Sequence, residues 1–382
     1  MNILLLKTLE DNSHSSPLAK MRGGRLSFLF FNKHILFCLF FVLIQGVLFG
    51  QEKTIKDDVG NVFTLAEPPQ RIVSLAPNIT EILFALGLGE KVVGVTRYCD
   101  YPPAALQKAK VGGLLDPAIE KIKSLGPDLV IAFRGNPLNA LKRLQALRLR
   151  VFILDIGHDL DAVPKTIEKI GRITGREKEA QALLKILEDK YQKAISALEP
   201  VAELPKVFLN IHGMGLATCG RTSYLHDLLV RAKSVNIAGR VSKDWINYSR
   251  EQLIKDEPEV IIIMTKSEPD FVKARDWFKS QAGFQSIPAV RTDRIHFLDE
   301  NIASRFGPRL YDAFAELVRL IHPELFEPNS IGISPRKVNG DTVLCPPRTQ
   351  PHRDQTPASA APPNIFNLLS FDFSREVRGR LI

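Results

Sequence analysis

EKIKSLGPDLVIA (120–132) and EQLIKDEPEVIII (251–263) follow one plan. In each, a glutamate opens a helical turn and a proline stands seven residues later. An acidic residue then leads into an unbroken apolar run. Proline cannot continue a helix, so it marks the joint. An apolar run without alternation reads as a strand covered on both faces, the habit of parallel sheets. The same helix–proline–strand joint in two halves of a 382-residue chain predicts two lobes built alike.

Around the first joint, short apolar runs alternate with helical ones. Arg71–Leu75, Val92–Val95, Asp128–Phe133 and Val151–Leu154 read as strands. Ile79–Leu86, capped by Asn78 or Thr80 and stopped by Gly87, reads as a helix, as do Ala118–Leu125 and Leu138–Leu147. Residues 161–198 break the rhythm, being charged and helical throughout. Gly171 and Gly175 divide this stretch, predicting a short helix and then a long one from Glu177, closed by Pro200 and Pro205. A second series follows: strands Val207–Ile211, Val260–Met264 and Arg294–Leu298, with helices Ser223–Ala232, Arg250–Lys255 and Pro308–Ile321. The expected fold is therefore α/β, with two α/β lobes of mainly parallel sheet (68–160 and 200–325). A long connecting helix within 161–199 joins them, and a ligand cleft lies between.

Both ends differ from this body. Arg22, Arg25 and Lys33 precede the apolar run ILFCLFFVLI (35–44), which is too short to span a bilayer and matches an export signal. Residues 1–50 are read as a signal peptide, with Met21 as an alternative start, and the expected location is the periplasm; an uncleaved membrane anchor is the competing reading. Cys38 lacks the preceding small residue of a lipid-attachment site. Residues 331–382, with seven prolines and scattered polar residues, are expected to be mostly disordered. The net charge of +9 is carried largely by these ends, and no basic stripe marks a nucleic-acid partner.

The chain offers no catalytic constellation. GxSxG, Walker-type and HExxH motifs are absent, and Gly213-Met214-Gly215 is a tight turn rather than a phosphate loop. The histidines are widely spaced, so no metal site or cofactor is expected. Cys99, Cys219 and Cys345 form an odd set without CxxC spacing. Polar and aromatic loops follow the strands instead: Thr96–Tyr101, Phe133–Asn136, Ala217–Ser223, Trp245–Tyr248 and Asp299–Arg305. In parallel sheets ligands bind at the carboxyl ends of strands, so these loops face the cleft. Aromatic rings there would stack on a bulky ligand while Arg and Asn hold its polar rim. Trp277, in an apparent helix, reads as packing.

RIVSLAPNITEILFALGLGEKVVGVTRYCDYPP (71–103), IEKIKSLGPDLVIAFRGN (119–136), LRVFILD (149–155), WINYSREQL (245–253) and GPRL (307–310) resemble the solute-binding proteins of ABC importers that have a helical connector, and among them the cobalamin-binding branch. The resemblance covers about 68–325. It implies a non-enzymatic carrier that captures a bulky small-molecule ligand, cobalamin or a related corrinoid, and passes it to the permease subunits. A haem or ferric-siderophore binder of the same class is the alternative; an enzyme on a related two-lobed fold is a further rival. By position, the resemblance implies ligand contacts at Tyr98, Phe133, Trp245 and around Asn301; the loops after the strands add Arg134, Gly135, Asn136, Tyr248 and Arg305 to the candidate site, with Leu114 beside them. Glu120 and Glu251 coincide with the acidic residues that grip arginines of the transporter. Two departures stand out. Leu114 occupies a place where cobalamin binders tend to have tryptophan, and the family's second-lobe cysteine pair is not evident around Ala232 or Phe314.

Overall fold

The computed structural model describes residues 53–326 except Ala66 and Ile156, so the expected export signal and tail lie outside the described residues. Two short strands open it, β1 (Lys53–Lys56) and β2 (Val62–Leu65). The Asp57 carboxylate in the turn between them accepts from the amides of Val59 and Asn61 and from that of Ile153, fixing this turn against the first sheet.

The first sheet is wholly parallel, in the order β5 (Ala109–Lys110), β4 (Val92–Val95), β3 (Ile72–Ser74), β6 (Leu129–Phe133), β7 (Val151–Leu154). Its helices are α1 (Pro77–Ala85), α2 (Ile119–Ser124) and α3 (Leu138–Ala146). Neither Asn78 nor Thr80 caps α1, because Pro77 already occupies its first turn and the helix begins upstream of both. Gly87 does end it, adopting a left-handed φ of 72° that a side chain would resist.

The connector is a pair of helices, α4 (Ala162–Thr174) and α5 (Glu177–Ala197), separated at Gly175. At 21 residues α5 extends roughly 31 Å. It packs on α4 and on α11 (Leu310–Ile321) of the second lobe, with Tyr191 against Phe314 at 5.3 Å.

The second sheet is mixed. β8 (Lys206–Asn210), β12 (Val260–Thr265) and β13 (Ile295–Asp299) run parallel, and β10 (Val235–Asn236) adds to the start of β8. β9 (Ala217–Cys219) and β11 (Trp245–Asn247) are antiparallel additions on the far side of β8. Both fall in stretches that read as loops from sequence, because three residues are too few to show a period of two. The remaining helices are α6 (Tyr224–Arg231), α7 (Arg250–Asp256), α8 (Glu268–Ser280), α9 (Pro288–Arg291) and α10 (Glu300–Ala303).

Alternation along the central strands builds the cores. Leu129, Ile131 and Phe133 of β6, with Val260, Ile262 and Met264 of β12, enter one apolar cluster contributed by both lobes. Val130 and Ala132 face a separate outer core in the first lobe, and Ile261 and Ile263 face another in the second. Both faces of each sheet are thus covered, which explains the unbroken apolar runs. Trp277 packs on Phe278 and Phe284 of the second lobe's outer core, as its helical setting suggested.

Candidate functional site

The loops at the carboxyl ends of the two sheets meet. On the first-lobe side, Glu81 of α1 is almost wholly buried, with 2% of its side chain exposed. It accepts hydrogen bonds from Arg305 (3.2 Å) and from both Nε and Nη2 of Arg309 (3.0 and 2.6 Å), two arginines of the loop before α11. Arg305 also forks onto Asp100, at 2.5 and 2.9 Å, and the Arg309 guanidinium lies 3.9 Å from the centre of the Tyr101 ring. Two carboxylates and two guanidinium groups leave no net charge, which is what lets such a cluster be buried. Burial works against the Asp100 carboxylate, but the Arg305 fork outweighs it and holds the group below its ordinary range. Asn78 donates to the Phe306 carbonyl at 3.2 Å, completing the contact.

An aromatic run begins at this contact. Phe306 packs on Tyr224 at 4.4 Å between centroids, and Tyr224 on Trp245 at 6.2 Å. The Tyr224 hydroxyl donates to the Ala303 carbonyl. Trp245 and Tyr98 are partly buried against the cluster shared by the lobes, while Leu114 and Phe133 lie within it. The structure therefore sets Tyr98, Leu114, Phe133 and Trp245 against one apolar body.

Other candidates hold the scaffold. Asn136 is buried; its Oδ1 accepts from the Phe133 amide and its Nδ2 donates to the carbonyls of Leu75 and Leu114, so one side chain ties three rim loops. Gly135 lies under the Phe133 ring, where any Cβ would collide with it. Arg134 pairs with Asp155 in an exposed position. Asn301 is partly exposed, and its amide groups donate to Asp299. Arg305, expected at a ligand, spends its guanidinium on Glu81 and Asp100.

Tyr248 corrects the sequence reading. Along β11 and beyond, Trp245 faces the shared cluster, so Ile246 and Tyr248, of the opposite parity, face the outer core. The Tyr248 ring packs on Phe208, and its hydroxyl is engaged by Asp256 and Ile237. Sequence reasoning also missed Glu81, Arg309, Tyr224 and Phe306. The signal for Glu81 was legible: a lone charge in the apolar helix PNITEILFA.

Glu120 and Glu251 lie in the first turns of α2 and α7, at matched places before the central strands β6 and β12. Glu120 is highly exposed and pairs with Arg143 at 3.1 Å. The Ser249 hydroxyl caps α7. The amides at this helix start and Ser249 hold the Glu251 carboxyl below its usual range. Cys99 and Cys219 are buried free thiols, one in each lobe; burial raises both, Cys219 to about 12.

Among the described residues no group of His, Cys, Asp and Glu could hold a metal, and no helix is long and apolar enough to cross a membrane. The chain is 31% identical over 280 residues to an uncharacterized ABC transporter substrate-binding lipoprotein of Bacillus subtilis, covering 72% of this chain and 87% of that one. Its fold is similar to a periplasmic haem-binding protein of Roseiflexus sp. RS-1 (TM-score 0.61, 27% identity, 66% of this chain and 98% of that one). It is also similar to the periplasmic vitamin B12-binding protein of Vibrio cholerae (TM-score 0.58, 28% identity, 67% and 98%). A family model described as periplasmic binding protein matches residues 72–302, spanning both sheets and the connector. With two α/β lobes meeting through their rim loops, the chain belongs to the periplasmic binding protein family of ABC importers.

Proposed function

We propose that this protein captures a bulky cobalamin-like ligand between its lobes in the periplasm and delivers it to a permease, making and breaking no bond. The observation that carries the reading is the partly exposed pair Tyr98 and Trp245, set against one apolar cluster formed by both lobes. Such rings offer wide, weakly polar faces to a flat macrocycle. The rim supports it further. Arg97, Arg134 and Arg305 are each paired with a carboxylate, so a ligand meets little unbalanced charge. The B12-binding relative of Vibrio cholerae fits the same reading.

Haem is the second reading. Tyr98, partly exposed on its rim loop, has a phenol that could serve an iron, and the Roseiflexus neighbour binds haem. Equilibrium dialysis of the mature protein against cyanocobalamin, haemin and a ferric siderophore separates these. Retention of cyanocobalamin alone is expected, and retention of haemin alone would replace the first reading with the second.

Delivery would use Glu120 and Glu251, one per lobe, as docking posts for the permease subunits. Their exposure in first helical turns leaves the carboxylates available to arginines.

A further inference from the structure

The two lobes repeat one plan, but the ends of their sheets away from the cleft carry different charge. In the first sheet, Arg71, Asp128 and Arg150 stand at the entries of the neighbouring strands β3, β6 and β7. In the second, Lys206, Glu259 and Arg294 stand at those of β8, β12 and β13. The turns beside these rows break the match. Beyond α2 the left-handed residue is Gly126, at φ 55°; beyond α7 it is Glu257, at 51°. The turn after α3 holds Arg148 at 60°, where the turn after α9 holds Asp293 at 56°. Lys279 pairs with Asp293 at 2.6 Å and Arg240 with Asp256 at 2.8 Å, so the second lobe answers cations with carboxylates.

The first lobe answers them with carbonyls. The Arg71 guanidinium donates to Leu125 (2.6 Å) and Gly126 (3.1 Å) past the end of α2. The Lys123 ammonium donates to Leu147 (3.1 Å) at the end of α3, and Arg150 to Thr64 (3.3 Å) of β2. A carbonyl satisfies a donor but leaves the cation's charge in place. Arg71, Lys123, Arg148 and Arg150 are all exposed, and none is in an ion pair among the described residues. Asp128 turns both carboxylate oxygens to the amides of Gln70 and Arg71. Leu147, 39% exposed, stands next to Arg148 and under the Lys123 ammonium.

We infer that this edge of the first lobe rests on an anionic phospholipid surface. The four cations meet headgroup phosphates, and Leu147 reaches the interface between them. The matching edge of the second lobe, with Glu257, Glu259 and Asp293, lacks that attraction. Glu120 lies at the opposite end of α2, and the cleft loops at the opposite end of the sheet. A carrier resting in this way points its cleft away from the bilayer and turns over to dock. The inference goes beyond the proposed carrier function and uses only its exported location.

The test sediments the mature protein, freed of the run 35–44, with vesicles. Binding to equal parts of phosphatidylglycerol and phosphatidylcholine is expected at about 0.05 M salt, with release at about 0.5 M and no binding to phosphatidylcholine alone. Each cation removed weakens binding about fivefold, so K123Q with R148Q loses about twentyfold or more. The Arg148 side chain makes no hydrogen bond or ion pair among the described residues, so R148Q alone keeps a fivefold loss readable should the double variant fold poorly. K273Q removes a cation paired with Asp270 in the second lobe and leaves binding unchanged. An equal loss in K273Q would mean attraction to net charge alone and overturn the inference. Unchanged binding in R148Q overturns it as well, as does retention of soluble polyphosphate by a protein that ignores the vesicles. Vesicle binding is read without cyanocobalamin, so its failure is distinct from a failure of the carrier reading.

Discussion

The two places where the second lobe is held differ in kind. At the rim, Glu81 and Arg305 are buried and meet across the lobes as part of a charge-balanced cluster. At the connector, Arg231 of α6 bonds Asp227, Asp161 and the Tyr191 hydroxyl, but Asp161 is well exposed. Charge in water is nearly free to rearrange, whereas charge in the interior is committed. The connector's ion pairs can therefore yield, while the rim contact is committed. Movement between the lobes should be small.

Breaking the rim contact should cost most. E81A leaves the mostly buried Arg309 guanidinium without its carboxylate and Arg305 with Asp100 alone, and a loss of about 3 kcal/mol in urea denaturation is expected. A loss below about 1 kcal/mol would show the cluster to be ornamental to the fold. W245A comes next: ligand affinity should fall by more than about 1 kcal/mol, since a buried aromatic anchor is removed. Unchanged affinity takes Trp245 out of the site. R231A, on the yielding side, should destabilise by about 1 kcal/mol, and a loss as large as that of E81A would erase the distinction drawn here.

Acid sharpens the same contrast. The folded protein holds Asp100 below its ordinary value of 3.8, so its contribution is complete above that value and is lost as pH falls from there through the folded value. D100N should therefore flatten the stability curve below about pH 4, and an unaltered curve counts against the Arg305 fork. Smallest of all, E120A with E251A should leave stability and ligand binding unchanged. Uptake in cells should nevertheless drop, and normal uptake discredits the docking role.

The lobes were legible because the central strands β6 and β12 are long enough to show their unbroken apolar character, and because a proline announces each. β9 and β11 were not, being three residues each and defined by partners far along the chain. The site divided in the same way. Loops after strands and the resemblance pointed to Tyr98, Leu114, Phe133 and Trp245, which lie in or against the shared apolar cluster. Tyr248 was misplaced because, without the strand at 245–247, nothing indicated which side of the sheet it would face. Arg305 read as a ligand contact, since its partners Glu81 and Asp100 lie more than two hundred residues away in the chain.

The two sealed thiols make each lobe its own stopwatch. Cys99 adjoins Tyr98, and Cys219 stands opposite Trp245 in the β9–β11 ladder, each protonated and shut from solvent. With Cys38 and Cys345 replaced, a maleimide dye could react only when one of these halves breathes. C99S and C219S would then tell which half opens first, and whether a guest in the cleft slows one or both.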